Sequence, residues 1–180
     1  MIIDAENPEC ECVWDEALKP NDEGTWETEP FSSWWERCAA GLGHLHPQIA
    51  EQWVYRHWTN SPFKNLPLER LRWRLEEWET PKILSDVHVR DGFGPFEAAL
   101  DFKILGTNEI EPYKSLRSMC TWSCPIVVID TPDGVHDHGE DIPNVRYCLV
   151  EGHQRVRYLN ALAKHSRVAS SHKVYVLTLV

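Results

Sequence analysis

The sequence predicts an α+β domain: a mixed sheet of short apolar strands behind a helical, tryptophan-rich N-terminal extension. Three observations carry this. The runs "CPIVVID" (124–130) and "HKVYVLTLV" (172–180) are short, rich in β-branched residues and bounded by turn residues. A third run, Arg146–Val150, stops at Glu151-Gly152 and passes at once into a segment with helical spacing. Residues 31–80 instead repeat apolar residues at helical intervals. The chain divides into an acidic, partly helical extension, 1–60, and an α+β domain, 61–180. With 180 residues it can bury roughly 70% of its unfolded surface and needs no staples to fold.

In chain order, residues 1–30 are acidic and turn-rich and are expected to bury little. Ser32 or Ser33 is placed to cap a first helix that carries Trp34, Trp35 and Cys38 and ends near Gly41–Gly43. Pro47 suits the first turn of a second helix, with Ile49, Trp53, Val54, His57 and Trp58 along it, ended by Asn60-Ser61-Pro62. Leu68, Leu71, Leu75 and Trp78 mark a third amphipathic helix stopped at Thr80-Pro81. Lys82 to Arg90 reads as a strand. Pro95–Leu105 and Pro112–Met119 read as helices. A polar loop, "TPDGVHDHGEDIPN", is expected to be the most mobile part of the C-terminal half. The strand 146–150, a helix to about His165 and the closing strand complete the chain. Most of the nine tryptophans are expected in the core. Only Arg70, Arg72, Trp73 and Arg74 interleave basic and aromatic residues as a base-stacking platform does.

Charge bounds the partners. A net charge of −10 and a pI near 5.3 give a poor field for duplex DNA, so stable binding there is not expected. No stretch reaches the roughly 20 apolar residues of a membrane span, and the acidic N-terminus lacks signal-peptide character. Six cysteines without a secretory signal read as reduced thiols in a cytoplasmic protein. Cys10 and Cys12 form a Cys-x-Cys pair whose spacing fits none of the usual closed zinc sites. Cys120 and Cys124 read as buried thiols.

The segment "YCLVEGHQRVRYLNAL" (147–162) is the most informative. Gly152 permits a tight turn or close approach of a ligand. The helix after it shows Val156, Leu159, Leu162 and Ala163 on one face, so His153, Gln154 and Arg155 fall in its first turn. Unpaired backbone N–H groups and the helix dipole make that end an anion site. The dipole disfavours cations there, so Arg155 and His153 imply a compensating anion. That anion is either an external phosphate or, internally, Glu151. The residues alone leave both open.

"PIVVID", a variable loop, "YCLVEGHQRVRYLNAL" and a closing strand together resemble the ParB/sulfiredoxin-like domain. Its members share a strand ending in a Gly-x-x-Arg turn that opens a helix; here it stands as Glu151-Gly152-His153-Gln154-Arg155. "LPLERLRW" (66–73) resembles the family's opening segment and "YKSLRSMCTWSCPIVVID" (113–130) its central helix and strand. The resemblance covers roughly residues 62–180. It implies that Gly152, His153, Gln154 and Arg155 hold the phosphates of ATP or CTP with Mg²⁺, and that Glu151 or His153 lies near the chemistry. Sulfiredoxins carry a cysteine directly after the glycine; His153 stands there, so their chemistry is not expected. No helix-turn-helix reader follows the core, which points away from chromosome segregation.

The acidic loop offers a separate metal set: His136, Asp137 and His138, beside further carboxylates. Two function classes follow. One is a ParB-like nucleotide-phosphate-binding protein, a phosphoryl-transfer or phosphodiester-cleaving enzyme. The other is a non-catalytic protein-binding module, inhibitor or immunity-like, whose acidic, Trp-rich N-terminal region contacts a basic partner.

Overall fold

Strands that are apolar at every position need cover on both faces, and here both faces are covered. The computed structural model describes residues 2–5, 13–90, 96–109 and 111–180. Among them the chain forms six helices and two mixed sheets, an α+β arrangement. In order these are β1 (Ile3–Asp4), α1 (Phe31–Leu42), α2 (Pro47–Ile49, continued as a π-helical stretch Ala50–Tyr55), β2 (Leu71–Glu79), α3 (Thr80–Asp86) and β3 (Val87–His88). There follow α4 (Ala98–Thr107), α5 (Tyr113–Met119), β4 (Ile126–Asp130), β5 (Val135–Asp137), β6 (Glu140–Ile142), β7 (Tyr147–Glu151), α6 (His153–Lys164) and β8 (Ser171–Leu179).

The main sheet has the order β2-β8-β4-β7-β3. β8 is antiparallel to β2 and parallel to β4, and β7 is antiparallel to β4 and parallel to β3. Alternate side chains go to opposite layers. Val127, Ile129, Cys148, Val150, Tyr175 and Leu177 meet the N-terminal segment, α1 and α2. Ile126, Val128, Leu149, Val174 and Val176 meet α3, α5 and α6. The N-terminal extension is thus one whole layer of the molecule. Ile3, Ala5 and Trp14 are buried, against the expectation that residues 1–30 bury little. Trp14, Trp53 and Trp58 form one ring cluster at centroid separations of 5.2–5.4 Å. Three indole N–H groups of this layer have acceptors: Trp14 on Leu66 O, Trp34 on Leu18 O, Trp53 on Ser61 Oγ.

Several expected elements are corrected. The third helix is strand β2, paired with β8 along nine residues from Leu71↔Leu179 to Glu79↔Ser171. Leu71 and Trp73 pack into one layer and Trp78 into the other. Apolar residues from two faces of a strand, read in one line, imitate helical spacing. Trp73 donates to His44 O and packs on His46 and Tyr175, so the basic stretch around it is no stacking platform. The expected strand 82–90 is mostly α3, with Pro81 in its first turn and Ile83 buried; only Val87 and His88 are extended. α1 begins at Phe31 after Pro30 and has no side-chain cap, so neither Ser32 nor Ser33 caps it.

The expected mobile loop is a β-hairpin. β5 and β6 are joined by the two residues His138 and Gly139, both at positive φ (58° and 71°), as a primed turn requires. β1 adds in parallel beside β5. Val135 and Asp137 are buried, and Asp137 Oδ2 lies 2.7 Å from His88 Nε2, which ties the small sheet to β3. Low charge density in the sequence is not needed to order such a loop when its inward residues have partners.

His172 on β8 sits between two hydroxyls. Thr80 Oγ1 donates to Ala169 O at 2.6 Å, so it accepts from His172 Nε2–H at 3.0 Å. Nδ1 then accepts from Thr121 Oγ1–H at 2.7 Å. Burial holds the imidazole neutral and lowers its pKa from 6.5 to about 4. The unfolded chain binds this proton first, so the stabilising contribution is complete above pH 6.5 and is lost as pH falls toward 4. Thermal melts of wild type and His172→Gln across pH 4–7 should show the steeper loss in wild type. Parallel curves would refute the assignment.

Candidate functional site

β7 ends at Glu151, and Gly152 turns the chain into α6 at φ 114°. A Cβ built on Gly152 would lie 2.6 Å from Ile126 Cγ2, so glycine is required both for the backbone angle and for the fit against β4. α6 starts with no side-chain cap. Its packing residues Val156, Tyr158, Leu159 and Leu162 are buried against the sheet. The turn opens on a cleft of about 600 Å³, within the roughly 300–1,000 Å³ of small-molecule sites. All five expected turn residues, Glu151, Gly152, His153, Gln154 and Arg155, line it. The opposite wall is α2 with its π-helical continuation and the turn after it: Glu51, Gln52, Arg56 and His57. Arg90, Glu111, Ser123 and Cys124 close the sides.

Arg155 does not do what the sequence suggested. Its side chain is buried, 7% exposed. Nη1 donates to the carbonyls of Cys124 (2.7 Å) and Pro125 (3.0 Å). Nη2 donates to Gln52 Oε1 (2.7 Å) and reaches Glu151 Oε1 at 3.4 Å. Gln52 in turn donates to Pro125 O at 3.1 Å. Burial works against the guanidinium's charge, and Glu151 offsets it. Of the two anions the sequence left open, the internal one is met. Removing Arg155 would strip a packed cluster of hydrogen bonds.

His153 is largely enclosed. Burial, then the nearby charges of Arg90, His57 and Arg155, lower its pKa to about 4, so it is neutral at pH 7. It is neither a cation for phosphate nor a base poised for neutral pH. Burial pushes the Cys124 thiol up, so the cleft offers no ready thiolate.

The cleft cation that sequence reasoning missed is Arg90. Its Nε is buried without a hydrogen-bond partner among the described residues. The one available signal was its place at the end of an apolar stretch, directly before Asp91-Gly92-Phe93-Gly94. Arg56, by contrast, reaches Glu51 at 3.3 Å. His57 was read only as part of the second helix, and Gln52 was not singled out.

The proposed metal set is not assembled. His136 Nδ1 pairs with Asp141 Oδ1 at 2.7 Å, Asp137 faces His88, and His138 Nε2 stands 3.8 Å from Asp137. Among the described residues no three His, Cys, Asp or Glu side chains are grouped to hold a metal ion. Cys38, Cys120, Cys124 and Cys148 are free thiols, of which Cys38 and Cys148 are buried and Cys120 and Cys124 half-buried; Cys10 and Cys12 lie outside the described residues. No helix among the described residues is long and apolar enough to cross a membrane.

Arg155→Ala should destabilise the fold by about 3–5 kcal/mol, because it takes the donor from the Cys124 carbonyl and Gln52 Oε1 and the buried counter-charge from Glu151. At about 2–4 °C per kcal/mol the melting temperature should drop visibly, and Arg155→Lys should recover only part, since one ammonium cannot serve that fork of acceptors. An unchanged melt in Arg155→Ala would show that the cluster carries no stability. No family model, no curated protein and no solved structure matches the chain, so its cleft is interpreted from its own side chains.

Proposed function

We propose that the chain binds a nucleoside triphosphate, ATP or CTP, by its phosphates in this cleft, as a ParB/sulfiredoxin-like nucleotide-binding protein. The single observation behind this is the pairing of an uncapped α6 N-terminus with a buried, unpartnered Arg90 Nε in one cavity. A buried donor without an acceptor is costly, and an anion at that point satisfies it. The backbone of Gly152-His153-Gln154 lies at the positive end of the helix dipole. In this reading Arg155 shapes the turn and Arg90 makes the charge-assisted contact. Mg²⁺ suits the site as a companion of the triphosphate, which supplies most of its ligands, with Glu51 or Glu111 lining the same cavity.

One observation favours the second reading, a protein-binding module. Trp26 is fully exposed on a turn ordered by Thr25, Thr28 and Asp22, among acidic side chains. A basic partner with an apolar socket would suit it.

ATP or CTP with MgCl₂ should raise the melting temperature, by about 2.7 kcal/mol of added stability at 100 times the dissociation constant. Arg90→Ala should weaken binding roughly ten- to hundredfold, the value of one charge-assisted bond, and should not lower the stability of the unliganded protein, since it deletes a buried donor that has no acceptor. Titration calorimetry on the two proteins decides it: no heat from either nucleotide with wild type sinks the nucleotide reading.

A further inference from the structure

We infer that His57 is the general base of this cleft, held by Glu151, and that water is the nucleophile it activates against the bound triphosphate. The inference rests on the nucleotide reading above.

The Glu151 carboxylate is divided between two partners. Oε1 lies 3.4 Å from Arg155 Nη2 and Oε2 lies 3.4 Å from His57 Nε2. Arg155 is itself fixed by two main-chain carbonyls and Gln52, so the carboxylate is held from behind. The His57 main chain is pinned as well. Its N–H donates to Trp53 O at 3.0 Å, and its carbonyl accepts from Asn60 (3.2 Å) and Ser61 (2.7 Å). The side chain is 46% exposed and lines the cavity. Nε2 is the ring nitrogen beside the carboxylate, and in the tautomer that carries its proton there the lone pair lies on Nδ1, which has no hydrogen-bond partner among the described residues. A fixed cation, a carboxylate, an imidazole and an open cavity stand in sequence. That is the order of a base oriented by a third group. The other imidazole of the cleft, His153, is largely enclosed and neutral, and Cys124 is half-buried, which leaves His57 as the accessible imidazole, beside the Glu51 and Glu111 carboxylates on the same wall.

The step balances without a further reactant. The water oxygen forms a bond to the terminal phosphorus while its proton passes to His57 Nδ1. The bond from that phosphorus to the bridging oxygen breaks, and the nucleoside diphosphate leaves with the electron pair. Glu151 stabilises the imidazolium until its proton goes to solvent.

The test uses the full chain with ATP and with CTP, each with MgCl₂, reading binding by calorimetry and turnover by release of inorganic phosphate. The variants are His57→Ala, with and without added imidazole, and Glu151→Gln, each checked by a thermal melt. His57→Ala should bind as wild type does and lose roughly 10²–10⁴-fold in kcat, the usual contribution of a general base. Free imidazole should restore part of that loss, a readout that a merely structural histidine does not give. Glu151→Gln should lower kcat with KM held. Nucleotide binding without phosphate release by wild type, or equal release by His57→Ala, overturns the His57 inference and leaves the binding site standing. Absence of binding by wild type removes the nucleotide reading and this inference together.

Discussion

The Arg155 guanidinium is the tie on which the cleft depends. It reaches four points that the chain brings from far apart: Cys124 and Pro125 before β4, Gln52 on the π-helical stretch, and Glu151 at the end of β7. With Arg155 itself on α6, these contacts join the N-terminal layer, the sheet and the helical layer, so one side chain sets the distance between the α2 wall and the α6 wall. A lysine could not do this, because its ammonium is a point donor and lacks the planar fork. The π-helical turn at Ala50–Tyr55 fits the same constraint. Gln52 is buried there with its amide spent at both ends, on Pro125 O and on Arg155. π-turns are rare and concentrate where a side chain must be re-aimed.

This use of Arg155 changes what the rest of the turn is for. A cation in the first turn of a helix opposes the dipole. Here the cost is offset internally by Glu151, and the turn that opens α6 lines the cavity. Neutral His153 adds no positive charge of its own. The division of labour is therefore structural on the inner side, through Arg155, and electrostatic on the outer side, through Arg90 and the helix terminus. Glu151 belongs to both, since each of its oxygens serves one side.

Much of this architecture was legible and part of it was not, for reasons that particular residues show. β4, β7, β8 and α6 were legible because strands covered on both faces are continuous apolar runs, and Gly152 marks the switch of period. β2 was not, because it turns Leu71 and Trp73 one way and Trp78 the other. The strands β5 and β6 were read as a polar loop because the turn between them is His-Gly, where Asn-Gly or Asp-Gly is the usual mark. The turn 151–155 was found at the right place with the wrong role for Arg155. Sequence gives a residue's neighbours along the chain, and the acceptors of Arg155 at Gln52, Cys124 and Pro125 lie up to 103 positions away. Arg90 and His57 had no motif at all, since their importance comes only from the cavity that they share.

Net charge and local charge then act on different scales. The chain carries −10 overall, and a field of that sign repels a long polyanion approaching over many contacts. Screening at physiological salt reduces this beyond about 8 Å. Inside the cleft the nearer groups decide: Arg90, the α6 terminus and the Arg155–Glu151 pair. A compact anion at that end of the cavity meets these first, with Glu51 and Glu111 further along the wall, whereas a duplex must lie across the acidic surface as well. The same arithmetic treats Trp26 and its acidic neighbours as a separate surface. It stands in the N-terminal layer, on a turn that shares no residue with the cleft, and its acidic neighbours would suit a basic ligand where the proposed nucleotide site would take an anion. Two sites of opposite electrostatic preference can therefore coexist on one acidic chain.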